Sequence, residues 1–231
     1  MPNYNLKFDS DKGELIVKKP ITQNDLIDNA KTFCSEDHNY KELFGVTDGK
    51  AVGTFIEQKF QDRLVNQYTM DNGNAAKGLD IPSLNTDIKV TSIKQPQSSC
   101  PFNSARQKIY GLGYNLIVFV YEKIDDHQAK TARLNFISCA FIDKNRTADF
   151  QTTRGIREIL SRDGNTEDII GFLQDRNLPG DDITYKHLAE EILTLIPEQG
   201  YLTISNALQW RLQYARIVNL TEKVSGIIKI V

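Results

Sequence analysis

Six consecutive apolar residues, Leu116-Ile-Val-Phe-Val-Tyr121, constrain this chain more than any other feature of its sequence. A strand that alternates apolar and polar side chains can leave one face in water, whereas one that is apolar throughout needs cover on both faces. The run is far shorter than the ~18 apolar residues of a spanning helix, and no such stretch occurs elsewhere. Cover must come from other parts of the chain. Val52, Phe55, Ile56, Phe60 and Leu64 recur at helical spacing, which predicts an amphipathic helix over 51–68 with Glu57 at the border of its apolar face. Further helices are expected over 23–33 with Thr22 as N-cap, 104–112 ending at Gly113, 150–162, 167–177, 182–195 and 204–218. Strands are expected over 14–17, 78–81, 86–93, 133–142 and 225–231, and 94–103 reads as a polar loop. Asp71-Asn-Gly-Asn74 reads as a turn, and Pro82-Ser-Leu-Asn85 joins the two strands of a hairpin. The order helix, hairpin, helix, strand, strand predicts an α/β (α+β) fold, a mixed central sheet flanked by helices. That core and an irregular N-terminal extension are assigned to residues 1–145, and a mainly helical region to 146–231.

The 231 residues carry 28 Lys+Arg against 30 Asp+Glu, and the near-balance hides an uneven layout. Residues 88–121 contain no acid, and neither do 199–221, while 122–198 carry 15 acids against 10 Lys+Arg. A surface that meets a polyanion needs its contact face cleared of carboxylates rather than a high pI. The competing explanation is that 88–121 lacks acids because much of it is buried sheet. Cys34, Cys100 and Cys139 are odd in number and far apart, which excludes a disulfide framework and a paired-cysteine zinc site. Cys139, inside an apolar strand, reads as core packing. With a polar, mixed-charge stretch over 1–12, a reduced, cytoplasmic protein without membrane association is expected.

The commonest catalytic patterns are missing. The sequence has no glycine-rich phosphate loop and no His-Glu-x-x-His, and His38, His127 and His187 read as solvated side chains on loops or helix surface. One constellation remains, in Leu79-Asp80-Ile-Pro82-Ser-Leu-Asn-Thr-Asp87-Ile-Lys89. Asp87 and Lys89 differ by two and so project from the same face of a strand. The turn at 82–85 brings Asp80 to the same end of the hairpin. Two carboxylates and an ammonium converging at one point suit Mg²⁺, which takes one or two carboxylates and leaves positions for water and a phosphate oxygen. Such an ion activates water, screens a scissile phosphate and stabilises the leaving oxygen. Lys89 would orient or deprotonate the attacking water, or neutralise charge on the phosphorane. A surface hairpin with an incidental Asp-Lys pair is the plainer alternative. It leaves unexplained why these polar groups flank Ile88 and Val90 on a strand entering the core.

Over residues 51–142 the order of elements and the Asp80, Asp87-Ile-Lys89 motif resemble the PD-(D/E)xK nuclease superfamily, and within it the type II restriction endonucleases. The proline follows Asp80 by two instead of preceding it, and Asp87 stands where Glu is more usual. The resemblance implies a restriction-endonuclease-like fold and a Mg²⁺-dependent, site-specific cleavage of double-stranded DNA. Asp80, Asp87 and Lys89 would be catalytic, with Asp80 and Asp87 as metal ligands. Glu57, on the preceding helix, would complete the metal shell as it commonly does in that family. It also implies a cognate DNA methyltransferase encoded separately. Symmetric sites are usually cut by symmetric dimers, so a homodimer is expected.

Two segments are candidates for DNA contact. In the first, Gln95, Gln97, Ser98, Ser99, Asn103, Arg106 and Lys108 combine side chains that pair with adenine or guanine edges and side chains that suit phosphates. Its alternative is a polar loop and a solvated helix face. In the second, residues 185–229 resemble a winged helix-turn-helix whose second helix would present Ser205, Asn206, Gln209, Arg211, Gln213 and Arg216, with no acid among them. A helix packed by Leu208, Leu212 and Ala215 under a sheet edge is the alternative there, and Trp210 fits either core or contact. Two other functions remain open on the sequence: a mismatch-repair or junction-resolving nuclease on the same core, and a non-catalytic winged-helix DNA-binding protein.

Overall fold

The computed structural model describes residues 5–9, 14–70, 78–100, 104–205 and 210–231. In chain order the elements are β1 (Asn5–Asp9), β2 (Glu14–Pro20), α1 (Gln23–Ser35), β3 (Asn39–Tyr40), α2 (Gly49–Gln67), β4 (Tyr68–Thr69) and β5 (Thr86–Ser92). Then come β6 (Gln97–Ser99), α3 (Ala105–Tyr110), β7 (Asn115–Asp126), β8 (Thr131–Ile142), α4 (Phe150–Leu160), α5 (Thr166–Asp175) and α6 (Asp182–Thr194). The chain ends with β9 (Thr203–Ile204), β10 (Arg211–Gln213), α7 (Ala215–Val218) and β11 (Ile227–Lys229). No described helix is long and apolar enough to cross a membrane. The result is a mixed α/β fold with a multi-stranded sheet and flanking helices, consistent with a restriction-endonuclease-like core.

One unit comprises Met1–Lys94, Ile117–Phe141 and Lys229–Val231. Its main sheet places β8, β7 and β5 side by side in that order, with β3 also paired to β8. The apolar run behaves as its composition demands: β7 is buried without a break from Leu116 to Tyr121 and alternates only beyond, where its cover ends. Ile117, Phe119 and Tyr121 pack with Val52, Ile56, Phe60 and Leu64 of α2 and with Leu26, Ala30 and Phe33 of α1. Helix α1 starts at a capping box in which Thr22 and Asp25 satisfy each other's backbone N–H. A second sheet, β1-β2-β4, pairs β1 with β2 antiparallel and β2 with β4 parallel.

Three expectations for this unit need correction. His38 is 3 % exposed, not solvated. Its Nε2 donates to the Phe33 carbonyl at 2.6 Å, which leaves Nδ1 to accept from the Tyr40 hydroxyl at 2.7 Å, and its ring packs edge-on against Phe136. Both ring nitrogens are satisfied, so burial costs little. Residues 78–81 do not form a strand: only Ile81 bridges to Thr86, around a 3-10 turn at Pro82–Leu84 with Asn85 left-handed at φ 48°. The N-terminal extension is less irregular than expected, since β1 pairs with a β2 that runs on to Pro20. The expected turn at 71–74 lies outside the described residues.

The other unit comprises Gln95–Leu116 and Ile142–Ile228. Ile156, Ile169, Leu173, Leu188, Ala189 and Ile192 from α4, α5 and α6 form its core together with Ala105 and Ile109 of α3. Helix α3 stops at Gly111 rather than Gly113. Gly111 has φ +89°, and a Cβ there would stand 2.5 Å from the Lys144 carbonyl oxygen. Two larger departures concern the stretches expected to be a polar loop and a helix over 204–218. Gln97–Ser99, Thr203–Ile204 and Arg211–Gln213 instead form an antiparallel sheet in the order β6-β10-β9, followed by the short α7. The described residues therefore contain no recognition helix of a winged helix-turn-helix. Arg211 to Tyr214 satisfy an in-out period of two as well as a helical one, and the partner strand at 97–99 decides between them.

Asp149 holds this sheet to the helices. It is 3 % exposed and caps α4, its Oδ1 accepting from the Thr152 backbone N–H and hydroxyl, both at 2.8 Å. Its Oδ2 accepts from the backbone N–H of Ile204 in β9 at 2.8 Å. Asp149→Ala removes the cap and strands a buried N–H, so it should destabilise by about 2–4 kcal/mol. Urea unfolding measures this, with Asp149→Asn expected to lose less because one acceptor oxygen remains.

Candidate active site

After Thr86, strand β5 places two charged residues on one face and two apolar residues on the other. Ile88 and Val90 enter the core shared with α2, which turns Asp87 and Lys89 the opposite way. Asp87 is 7 % exposed, and Lys89 Nζ lies 2.6 Å from its Oδ2. Asp80 reaches the same point by a route the sequence did not suggest. Its Oδ2 accepts from the backbone N–H of Ile88 at 2.8 Å, taking the donor that a longer hairpin strand would have used. Its Oδ1 accepts from Gln61 Nε2 at 2.7 Å.

Burial pushes the Asp80 carboxyl up to about 7, helped by a hydrogen bond to Asp87 and by the negative charge there. The Ile88 N–H and the Lys89 ammonium pull it back. A hydrogen bond between two carboxyl groups needs a proton, and Asp80 is the group that keeps it. Burial also raises the Glu57 carboxyl; Lys89 and the Val90 N–H oppose that rise, and Asp87 adds to it. Glu57 thus lies within the field of the same cluster. Gly53, one turn earlier on α2, lets the helix approach β5: a Cβ there would sit 3.1 Å from the Val90 carbonyl oxygen.

The structure brings Asp80, Asp87 and Lys89 together and sets Glu57 beside them. Among the described residues, no three Asp, Glu, His or Cys side chains close a metal cage by themselves. Two adjoining carboxylates nonetheless present hard oxygen donors, and the proton held between them occupies the place of the positive charge that a divalent cation would bring. The donor set fits such an ion. Gln61 was not singled out from the sequence. The available signal was its spacing, four residues after Glu57 and so on the same face of α2.

The other candidate residues fall into three groups. Gln97, Ser98 and Ser99 on β6 and Arg211 on β10 are brought into one sheet, with Arg211 directly opposite Ser99, although the sequence separates them by over a hundred residues. Gln95 is exposed just before that sheet. Arg106 and Lys108 are engaged elsewhere. The Arg106 guanidinium holds both oxygens of Glu191 and stacks on Tyr110, while Lys108 is 4 % exposed with Nζ 5.2 Å from the centre of the Trp210 ring. Burial lowers the Lys108 ammonium, against the pull of Asp149. Asn103, Asn206 and Gln209 lie outside the described residues.

Comparison with known proteins adds an independent line. The sequence model of a family described as "Type II restriction enzyme NspV" matches residues 20–229. The chain is 57% identical over 188 residues to the type II restriction enzyme NspV of Nostoc sp., a span that covers 81% of this chain and 86% of that protein. No solved structure matches.

The raised Asp80 carboxyl makes stability depend on pH in a defined direction. The folded chain binds this proton more tightly than the unfolded chain, so its contribution is complete in acid and is lost as pH rises from about 4 towards about 7. Urea unfolding of metal-free protein at pH 5 and pH 8 should show this loss, and Asp80→Asn should flatten it. Equal pH slopes for the two proteins would assign the loss to other groups.

Proposed function

Because the chain belongs to the type II restriction enzyme NspV family, we propose that Asp80, Asp87 and Lys89 form its catalytic centre, with Glu57 as accessory metal ligand. The chain is a type II site-specific endonuclease acting on double-stranded DNA. Neither a repair or junction-resolving nuclease nor a non-catalytic DNA-binding protein is favoured by this kinship. The observation that carries the catalytic assignment is the meeting of Asp80, Asp87 and Lys89 at one end of β5, where Asp80 keeps a proton to about 7.

Type II restriction enzymes generally use a divalent metal ion, and Mg²⁺ is the ion proposed here. Asp80 and Asp87 would hold it, with Glu57 nearby. Bound there, Mg²⁺ supplies Lewis acidity and positive charge against the scissile phosphate. The remaining work falls to this chain's own groups. Gln61 and the Ile88 N–H orient the Asp80 carboxylate, so its oxygens are fixed before substrate arrives. Lys89, anchored on Asp87, aims an ammonium at the same point, where it can hold the attacking water in line or offset charge on the phosphorane. Gln95, Gln97, Ser99 and Arg211 are the proposed DNA contacts. A homodimer acting on a symmetric site, and a separately encoded methyltransferase that protects the same site, complete the reading.

Two variants test the centre. Asp87→Ala should reduce cleavage of plasmid DNA with Mg²⁺ to below about one per cent of wild type while keeping site-specific binding, because it removes a ligand and a charge that repels phosphate. Retention of more activity than that would remove Asp87 from the chemistry. Glu57→Gln keeps shape and deletes charge, so the Mg²⁺ concentration needed for half-maximal cleavage should rise with unfolding midpoint unchanged. An unchanged metal titration would leave Glu57 with a structural role only.

A further inference from the structure

The sheet β6-β10-β9 has two unlike faces, and its register defines them. Residues directly opposite one another in antiparallel strands project the same way. Leu212 stands opposite Ser98 and Ile204; Leu212 and Ile204 are buried, and the Ser98 hydroxyl is 2.6 Å from the Tyr214 hydroxyl, so this face turns inward. Gln213 stands opposite Gln97 and Thr203, and Arg211 opposite Ser99. All five are half-buried or exposed, and all are polar.

The charge around this outer face is one-sided. The strands come from 95–116 and 199–221, segments without a single acid, whereas 142–198 of the same unit carry 12 acids against 7 Lys+Arg. The fold has therefore placed two remote acid-free segments edge to edge. Asp149, the carboxylate that touches β9, is buried beneath and satisfied by Thr152 and the Ile204 N–H. A face with one cation, no carboxylate and a row of amides and hydroxyls complements a groove lined by phosphates. The major groove admits a two-stranded ribbon, and Gln, Arg, Ser and the Thr methyl are the side chains that tell base pairs apart there.

We propose that this outer face reads the recognition sequence in the major groove, with Gln97 and Gln213 as paired readers of base edges and Thr203 beside them. The proposal rests on the chain's activity as a site-specific endonuclease. Readout then depends on Gln213 and Thr203 as well as on β6, and Arg106 and Lys108 take no part in it.

The test uses full-length protein, with the cognate site first defined by digesting DNA of known sequence. Failure of wild type to cut at discrete sites would overturn the endonuclease reading itself, separately from the readout face. Binding to a cognate duplex and to an unrelated duplex is then measured with Ca²⁺ in place of Mg²⁺ for Gln213→Ala, Gln97→Ala and Thr203→Ala. Gln213→Ala and Gln97→Ala should each weaken cognate binding by on the order of 5- to 150-fold, with nonspecific affinity changed less than about twofold. The double variant should lose less than the product of the two, because the residues share one site. Gln213→Glu, which keeps shape but places a carboxylate on the face, should weaken binding to both duplexes. Unchanged cognate affinity in the Gln213 variants, or equal loss on both duplexes for every Ala variant, would overturn the proposal. Unfolding midpoints equal to wild type exclude a folding defect as the cause.

Discussion

Two carboxylates side by side near the start of β5, Asp87 buried and Asp80 half-buried, set the terms for the elements around them. Burying one ionised carboxylate costs several kcal/mol, and a second next to it adds repulsion. The chain meets that demand with a proton on Asp80, a backbone N–H from Ile88, an amide from Gln61 and the Lys89 ammonium on Asp87. Each partner requires its own piece of architecture. Gln61 can reach Asp80 only if α2 lies close along β5, and Gly53 permits that approach because a side chain there would press on the Val90 carbonyl. Ile88 can donate to a side chain only because 78–81 is not a full strand.

The second unit buries a carboxylate too, with a different outcome. Asp149 is ringed by fixed donors from Thr152 and Ile204 on the protein itself, which leaves it a strut between α4 and β9. Asp80 and Asp87 instead lean on each other and on a lysine, a balance that a cation can displace. Burial alone does not draw this contrast, since Asp87 and Asp149 are both buried; the difference in partners is what makes Asp87, and not Asp149, the acid proposed for catalysis.

Much of this was legible in the sequence. Helices α1, α2, α4, α5 and α6 follow from apolar spacing and capping residues, because a helix buries one stripe and its period shows in a single segment. Strands β7 and β8 follow from apolar content. The Asp80, Asp87, Lys89 and Glu57 grouping was accessible because strand alternation and a short turn convert spacing into position. The partner of Asp80 on α2, Gln61, was not, since nothing local marks a glutamine as a carboxylate's donor. His38 escaped for a related reason: its burial depends on an acceptor at Phe33 and a hydroxyl at Tyr40 that only the folded loop supplies.

The sequence by itself determined the kinds of element, the two-sided cover that Leu116 to Tyr121 require, and the chemistry available at 80–89. Those depend on periodicity, propensity and residue type, all carried by neighbours in the chain. Tertiary structure decided which strand each edge would meet. Residues 211–213 fit a helix or a strand when read alone, and pairing with the strand at 97–99, more than a hundred residues away, selects the strand. That choice turns Gln97, Ser99, Thr203, Arg211 and Gln213 to one face, because strand register is a property of two segments at once and no single segment contains it.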